Sequence, residues 1–200
     1  MSTVKSRREQ YSEETRAALL DAATRRFAER GFTGTSLEDV ASDIRATRGA
    51  VYHHFTSKTA LFQAVFDRLE SDMMGRVAEA AAREDDPWEA AAAAQDCFLD
   101  GCCDPVYGRV VWQEAPIALG WQRWWESEAE YAYGFVERML GRLMDTGAMP
   151  RLPLAPTAHV IFRVLGAAGM ALAEAPEQDK PRVREEYAQV IGRLLAGMRL

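Results

Sequence analysis

Residues 47–54 read Thr-Arg-Gly-Ala-Val-Tyr-His-His, and five of the eight carry side-chain hydrogen-bond donors. A guanidinium such as that of Arg48 can pair bidentately with the two acceptors of a guanine in a DNA major groove. Tyr52, His53 and His54 suit phosphate oxygens, and Thr47 and His53 can also reach a base edge. These donors act together only if one rigid element presents them. Ala50, Val51 and Phe55 supply that element with a core-facing side, so the spacing predicts a helix from about Thr47 to His54 with a polar outer face. A helix so short gains little from its own hydrogen bonds and must be held against a scaffold. The scaffold lies just upstream: Ser36 is a good N-cap, and Leu37, Val40, Ala41 and Ile44 share one apolar face. Asp39, three residues after Ser36, can reach back as in a capping box. Ser57-Lys58 then opens a further helix. Two short helices joined by a tight turn are the arrangement by which a second helix enters a major groove.

The string Gly31-Phe32, Thr35-Ser36, Ala41, Gly49, Tyr52, His54-Phe55 and Ser57-Lys58-x-x-Leu61 resembles the N-terminal domain of TetR-family transcription regulators. The match runs from about Thr15 to Leu69, through a helix ending Phe27-Ala28-Glu29-Arg30-Gly31-Phe32. The resemblance implies an all-α chain of about nine helices. Its three-helix helix-turn-helix domain would span residues 1–56, and an effector-binding and dimerisation domain residues 57–200. Thr47 and Arg48 would read base edges at the start of the recognition helix. Tyr52, His53 and His54 would bind phosphates, while Lys58 and the Thr35-Ser36 helix start would hold the backbone on either side. Gly49 would leave room for close approach. Outside such a constellation Arg48 and Tyr52 would be ordinary solvated side chains, and His54 could equally pin the turn into the fourth helix. Arg45 departs from the pattern, because the family usually has glycine in that turn. If the turn needs positive φ, Arg45 strains it.

Charge distribution agrees with one end touching DNA. The net charge is −6, but residues 1–60 hold ten basic against eight acidic side chains, a net +2 that leaves −8 on the rest. The apolar content suffices for a core. No apolar run approaches the roughly 20 residues of a membrane span, and Met1 to Gln10 carry no apolar signal core, so a cytoplasmic protein is expected. Cys97, Cys102 and Cys103 lack the spacing of a zinc site, and no metal or cofactor is expected. Buried free thiols are one reading of the cysteines, and a redox switch through Cys102 and Cys103 is the other.

The remainder reads as helix: about Ser12 to Arg30, a fourth helix of about 25 residues from Ser57, another from Asp86-Pro87 to Leu99, then two stretches over residues 104–147 punctuated by Pro116 and Gly120. A proline-rich connection at 147–156 precedes two last helices, about Pro156 to Glu174 and Asp179 to Met198. Val160, Ile161, Val164, Leu165, Ala168 and Leu172 form one wide apolar stripe, with Gly166 and Gly169 permitting close approach, and Tyr187, Ile191, Leu194, Leu195 and Met198 form a second. The resemblance places a four-helix homodimer interface here, although packing within the chain would use the same residues. A dimer also suits a reader of so few base pairs, on a partly palindromic DNA operator.

Four of the five tryptophans fall between 112 and 125. Such clusters commonly form core. Regulators that this chain resembles also carry an apolar and aromatic effector cavity in the body, and Phe98, Trp112, Glu114, Trp121, Trp125, Phe135, Met139, Phe162 and Met170 are the candidate lining. Glu114 would answer an amine or hydroxyl there, or else lie exposed on its helix. A small apolar or aromatic effector would then release the protein from DNA by favouring one spacing of the two heads, with the fourth helix as lever. An enzyme is disfavoured: the sequence has no Glu-x-x-His pair, phosphate loop or Gly-x-Ser-x-Gly. A helical protein-interaction adaptor remains the rival.

Overall fold

The computed structural model describes residues 7–199; the sequence reading of a polar lead at residues 1–6 lies outside the described residues. Nine helices and no strand account for the described residues: α1 (Arg7–Arg30), α2 (Leu37–Asp43), α3 (Arg48–His54), α4 (Lys58–Ala82), α5 (Pro87–Cys102), α6 (residues 105–119), α7 (residues 121–145), α8 (Leu154–Glu174) and α9 (Lys180–Ala196). The first helix starts five residues before the expected Ser12.

The head is a small core of α1, α2, α3 and the start of α4. Leu19, Ala23 and Phe27 of α1 are fully buried, and Phe62 of α4 packs edge-on against Phe27 at 4.9 Å between ring centres. Gly31 ends α1 at φ 72°. Ser36 and Asp39 form the anticipated capping box, the Asp39 N–H donating to Ser36 Oγ at 3.1 Å and the Ser36 N–H to Asp39 Oδ2 at 3.0 Å. The α2–α3 turn is a Schellman motif: the Ala46 N–H bonds the Ala41 carbonyl and the Arg45 N–H that of Ser42. That motif needs a left-handed residue, and Arg45 occupies it at φ 54°.

α4 leaves the head and packs along α5 of the body. Its apolar stripe, Phe62, Phe66, Met73 and Val77, is interrupted by the buried Glu70. α6 carries a wide turn over Gly108–Glu114, in which the Ala115 N–H reaches back to Val110. Pro116 follows and has no N–H to offer, so the backbone widens ahead of it instead of breaking. Gly120, at φ 83°, makes the corner into α7, which runs to Asp145 with a second wide turn at Ala129–Tyr133.

α8 begins at Leu154, two residues before the expected Pro156. Pro156 is tolerated there because amides of the first turn have no partner inside the helix. α8 also corrects the expectation about apolar runs. Its 21 residues, with a window of mean hydropathy 1.3, are long and apolar enough to cross a membrane by length and composition. It is nonetheless packed against α5, α6, α7 and α9, with Ala158, Ile161, Phe162, Ala168 and Leu172 buried.

Candidate nucleic-acid interface and body cavity

Thr47 caps α3 through its Oγ1, which accepts the Ala50 N–H at 3.2 Å. The helix buries Val51 and turns Arg48, Gly49, Tyr52 and His53 outward. An added Cβ at Gly49 would meet only Thr47 Oγ1, at 3.9 Å, so the surface there is open to a close partner. Arg48 lies over the Tyr52 ring at 5.3 Å, and its Nε is 3.1 Å from Glu38 Oε1 of α2. The arginine is thus held between α2 and α3 by an exposed acid, a contact of little net strength.

Three of the expected contact residues point elsewhere. Thr35 is buried and donates to the Gly31 carbonyl at 2.9 Å, which closes the end of α1. Lys58 turns inward, its Nζ donating to the Phe32 carbonyl at 2.9 Å and sitting 4.3 Å from the Phe32 ring centre. His54 is half-buried beside Phe55; burial, then His53 and Arg16, hold its pKa below the usual histidine range. Ser36 keeps its hydroxyl on Asp39 at 2.7 Å.

In the body, Phe98, Trp112, Trp125, Phe135, Met139 and Phe162 line one cavity of about 90 Å³ between α4, α5, α6, α7, α8 and α9. Glu114, Trp121 and Met170 do not line it. Trp121 is 61% exposed at the start of α7, stacked parallel to Trp125 at 6.4 Å, and Met170 packs into the main core. Glu114 is neither a ligand group nor an exposed helix residue. It is buried against the head, where its Oε2 accepts the Phe32 N–H at 2.7 Å and its Oε1 pairs with Arg109 at 2.7 Å. Gly31 leaves the space this carboxylate fills.

Gln95 and Glu128 are polar cavity residues absent from the sequence-based candidates. Glu128 is buried, and its Oε1 has no hydrogen-bond partner. Its spacing was the available signal: four residues after Trp124 and three after Trp125, it shares the tryptophan face of α7. Burial, then the nearby Glu70, raises its pKa well above the carboxylate range. The Trp124 indole beside it falls short of hydrogen-bond geometry and only tempers that shift. Glu70 is pushed up to about 7 by burial, against the counter-effect of the Tyr107 hydroxyl, which donates to its Oε1 at 2.6 Å.

The two apolar stripes divide. Ile161, Ala168, Leu172 and Ile191 are buried within the chain, and the half-buried Leu165 and Leu195 line the cavity. Gly166 and Gly169 make room for the Trp125 and Trp112 rings and not for a second helix; a Cβ at Gly169 would collide with the Trp112 indole. Met198 packs on a side core with Leu140 and Ile161. Apolar side chains remain at the surface: Val160 (59% exposed) with Val164 on α8, and Leu194 (47%) with Tyr187 on α9. Val190, 57% exposed, joins them and was absent from the sequence reading. Cys102 is fully buried, and burial raises both its thiol and that of Cys103, which leaves little thiolate for redox chemistry. Among the described residues no group of three or more His, Cys, Asp or Glu could hold a metal.

A small helical head with an outward donor-rich helix, joined through a continuous helix to a body with an apolar cavity, defines a DNA-binding transcriptional regulator. Comparison with known proteins gives the family. Residues 88–198 match the model "Tetracyclin repressor-like, C-terminal domain" and residues 19–65 the model "Bacterial regulatory proteins, tetR family". The chain belongs to the TetR family. The HTH-type transcriptional regulator TtgR of Pseudomonas putida is 41% identical over 75 residues, 36% of each chain, so the chain matches about a third of that relative's length. The transposon Tn10 TetC protein of Escherichia coli is 24% identical over 141 residues, 70% of this chain and 71% of that one. Among solved structures, a TetR-family transcriptional regulator from Pectobacterium atrosepticum superposes over 98% of both chains with a TM-score of 0.84 at 28% identity. Regulators of this family are DNA-binding proteins rather than enzymes, and often repressors.

Proposed function

We propose that the chain is a homodimeric cytoplasmic repressor that a small apolar or aromatic effector releases from a partly palindromic operator. In this reading residues 1–56 read DNA, residues 57–200 bind effector and dimerise, and Thr47, Arg48, Tyr52 and His53 make the DNA contacts. The observation that carries it is the position of the wide turn in α6. Trp112 on that turn is cavity wall, and Glu114, two residues on, holds the Phe32 amide of the head. A ligand that moves Trp112 moves the residue that fixes the head to the body. Coupling then equals the ligand's differential affinity for the two head positions.

Selection of bound fragments from random or genomic DNA supplies the operator. Fluorescence anisotropy on that duplex should show salt-dependent binding that Arg48→Ala and Tyr52→Ala each abolish or weaken severely. Salt-independent association, or affinity untouched by both changes, would falsify the recognition-helix assignment and favour the adaptor.

A further inference from the structure

The body cavity is apolar apart from Gln95, Glu128 and the indole N–H of Trp112, a buried donor without a hydrogen-bond partner. Gln95 spends its Nε2 on the Ala188 carbonyl, at 3.4 Å. Glu128 keeps an unpartnered oxygen, 3% exposed as a residue and on the wall of the space. A buried polar atom without a partner is costly, and a ligand donor placed in the cavity is the missing partner. The wall supplies no lysine or arginine. An anionic ligand would therefore meet a carboxyl and no counter-charge.

From these observations we infer that the cavity takes a compact aromatic amine, with its ammonium against Glu128 and its ring among Trp112, Trp125, Phe135 and Phe162. An ammonium does what an alcohol cannot. It makes a charge-assisted bond, and it offsets the negative charge that Glu128 and the neighbouring Glu70 would otherwise share. Trp125 already carries the Arg163 guanidinium, 3.9 Å from its ring centre, so the aromatic walls supply apolar contact to the ligand ring and the carboxyl alone draws its cation. The space of about 90 Å³ suits one ring with a short arm. Burial, then Glu70, disfavours the charged form of Glu128. A bound ammonium makes the carboxylate the better partner, so binding favours loss of the carboxyl proton to solvent. The groups bearing on this titration are Glu70 of α4, itself bonded to Tyr107 of α6, and Cys102 of α5.

This proposal rests on reading the cavity as the effector site, and binding and release are measured separately. Benzylamine, benzyl alcohol and benzoate are titrated into the full-length protein at pH 6, followed by tryptophan fluorescence and by calorimetry in two buffers of different ionisation enthalpy. Benzylamine should bind about tenfold or more tighter than benzyl alcohol, benzoate weakest, with net proton release on benzylamine binding that benzyl alcohol does not cause. Glu128→Gln should remove the preference for the amine and leave benzyl alcohol within about twofold, since Gln keeps the size but not the charge. If that variant does not fold, the ligand order and proton release of the wild type decide alone. Equal affinity for amine and alcohol, a preference that survives in folded Glu128→Gln, or no binding by any of the three overturns the proposal. Amine-selective binding that leaves operator affinity unchanged supports the ligand assignment and overturns the effector reading.

Discussion

The Glu114 carboxylate accepts the Phe32 backbone N–H at 2.7 Å across 82 residues of sequence, a side-chain bond that joins body to head. Arg109 steadies the same carboxylate at 2.7 Å. Glu114→Ala leaves the Phe32 amide without its acceptor, and the cost should be about 1–3 kcal/mol. At about 2–4 °C per kcal/mol for a chain of this length, the melting temperature should fall by about 5 °C. Glu114→Gln keeps an acceptor and should fall by less. Thermal unfolding by circular dichroism checks the order; equal stability of all three proteins refutes the tie.

Arg45 holds the left-handed position of the α2–α3 turn at φ 54°. Arg45→Gly relieves a conformation that L side chains rarely adopt, though glycine also frees the unfolded chain. The net change should be a stabilisation of up to about 1 kcal/mol, read as a rise in melting temperature. A fall would show that the arginine side chain contributes more than its backbone costs.

Val160 of α8 and Leu194 of α9 both present exposed apolar side chains. Val160→Glu combined with Leu194→Glu should convert a dimer to monomer in sedimentation, with helix content unchanged, because neither side chain is needed inside the chain. Operator affinity should drop by at least about tenfold, since one head reads only a half-site. A dimer that persists places the interface elsewhere.

Glu70 gives a pH signature. Its folded pKa of about 7 lies above the ordinary 4.5, so the unfolded chain ionises first. Its contribution to stability is therefore whole below about pH 4.5 and is lost as pH rises to about 7, on the order of 3 kcal/mol. Glu128 acts with the same sign, while His54, its pKa lowered, opposes it by favouring the folded state as pH rises. The test is a difference. Glu70→Gln keeps the acceptor for Tyr107, so the gap in melting temperature between variant and wild type should widen in the variant's favour from pH 5 to pH 8. A constant gap refutes the assignment.

Much of the head was legible because its signals are local. Ser36, Thr47 and Ser57 each cap a helix within three residues of themselves, and Gly31 and Arg45 each set a chain reversal through their own φ. A hydrogen bond of that reach depends on the sequence alone. Thr35 and Lys58 were misjudged because a hydroxyl or an ammonium is equally at home on a phosphate or on a backbone carbonyl, and only packing presents one of the two.

The sequence by itself determined an all-helical chain, the helix starts at Ser36 and Ser57, and a donor-rich short helix on a family pattern. Tertiary structure alone decided which face each body helix turns inward, because several apolar stripes of equal width compete for one core and only their mutual packing breaks the tie. It sent Glu114 to the head instead of the cavity, gave Gly166 and Gly169 to tryptophans instead of a second subunit, and left Glu128 with an unpartnered oxygen on the cavity wall. A carboxylate's spacing places it on a helix face; what stands opposite is fixed by helices tens of residues away.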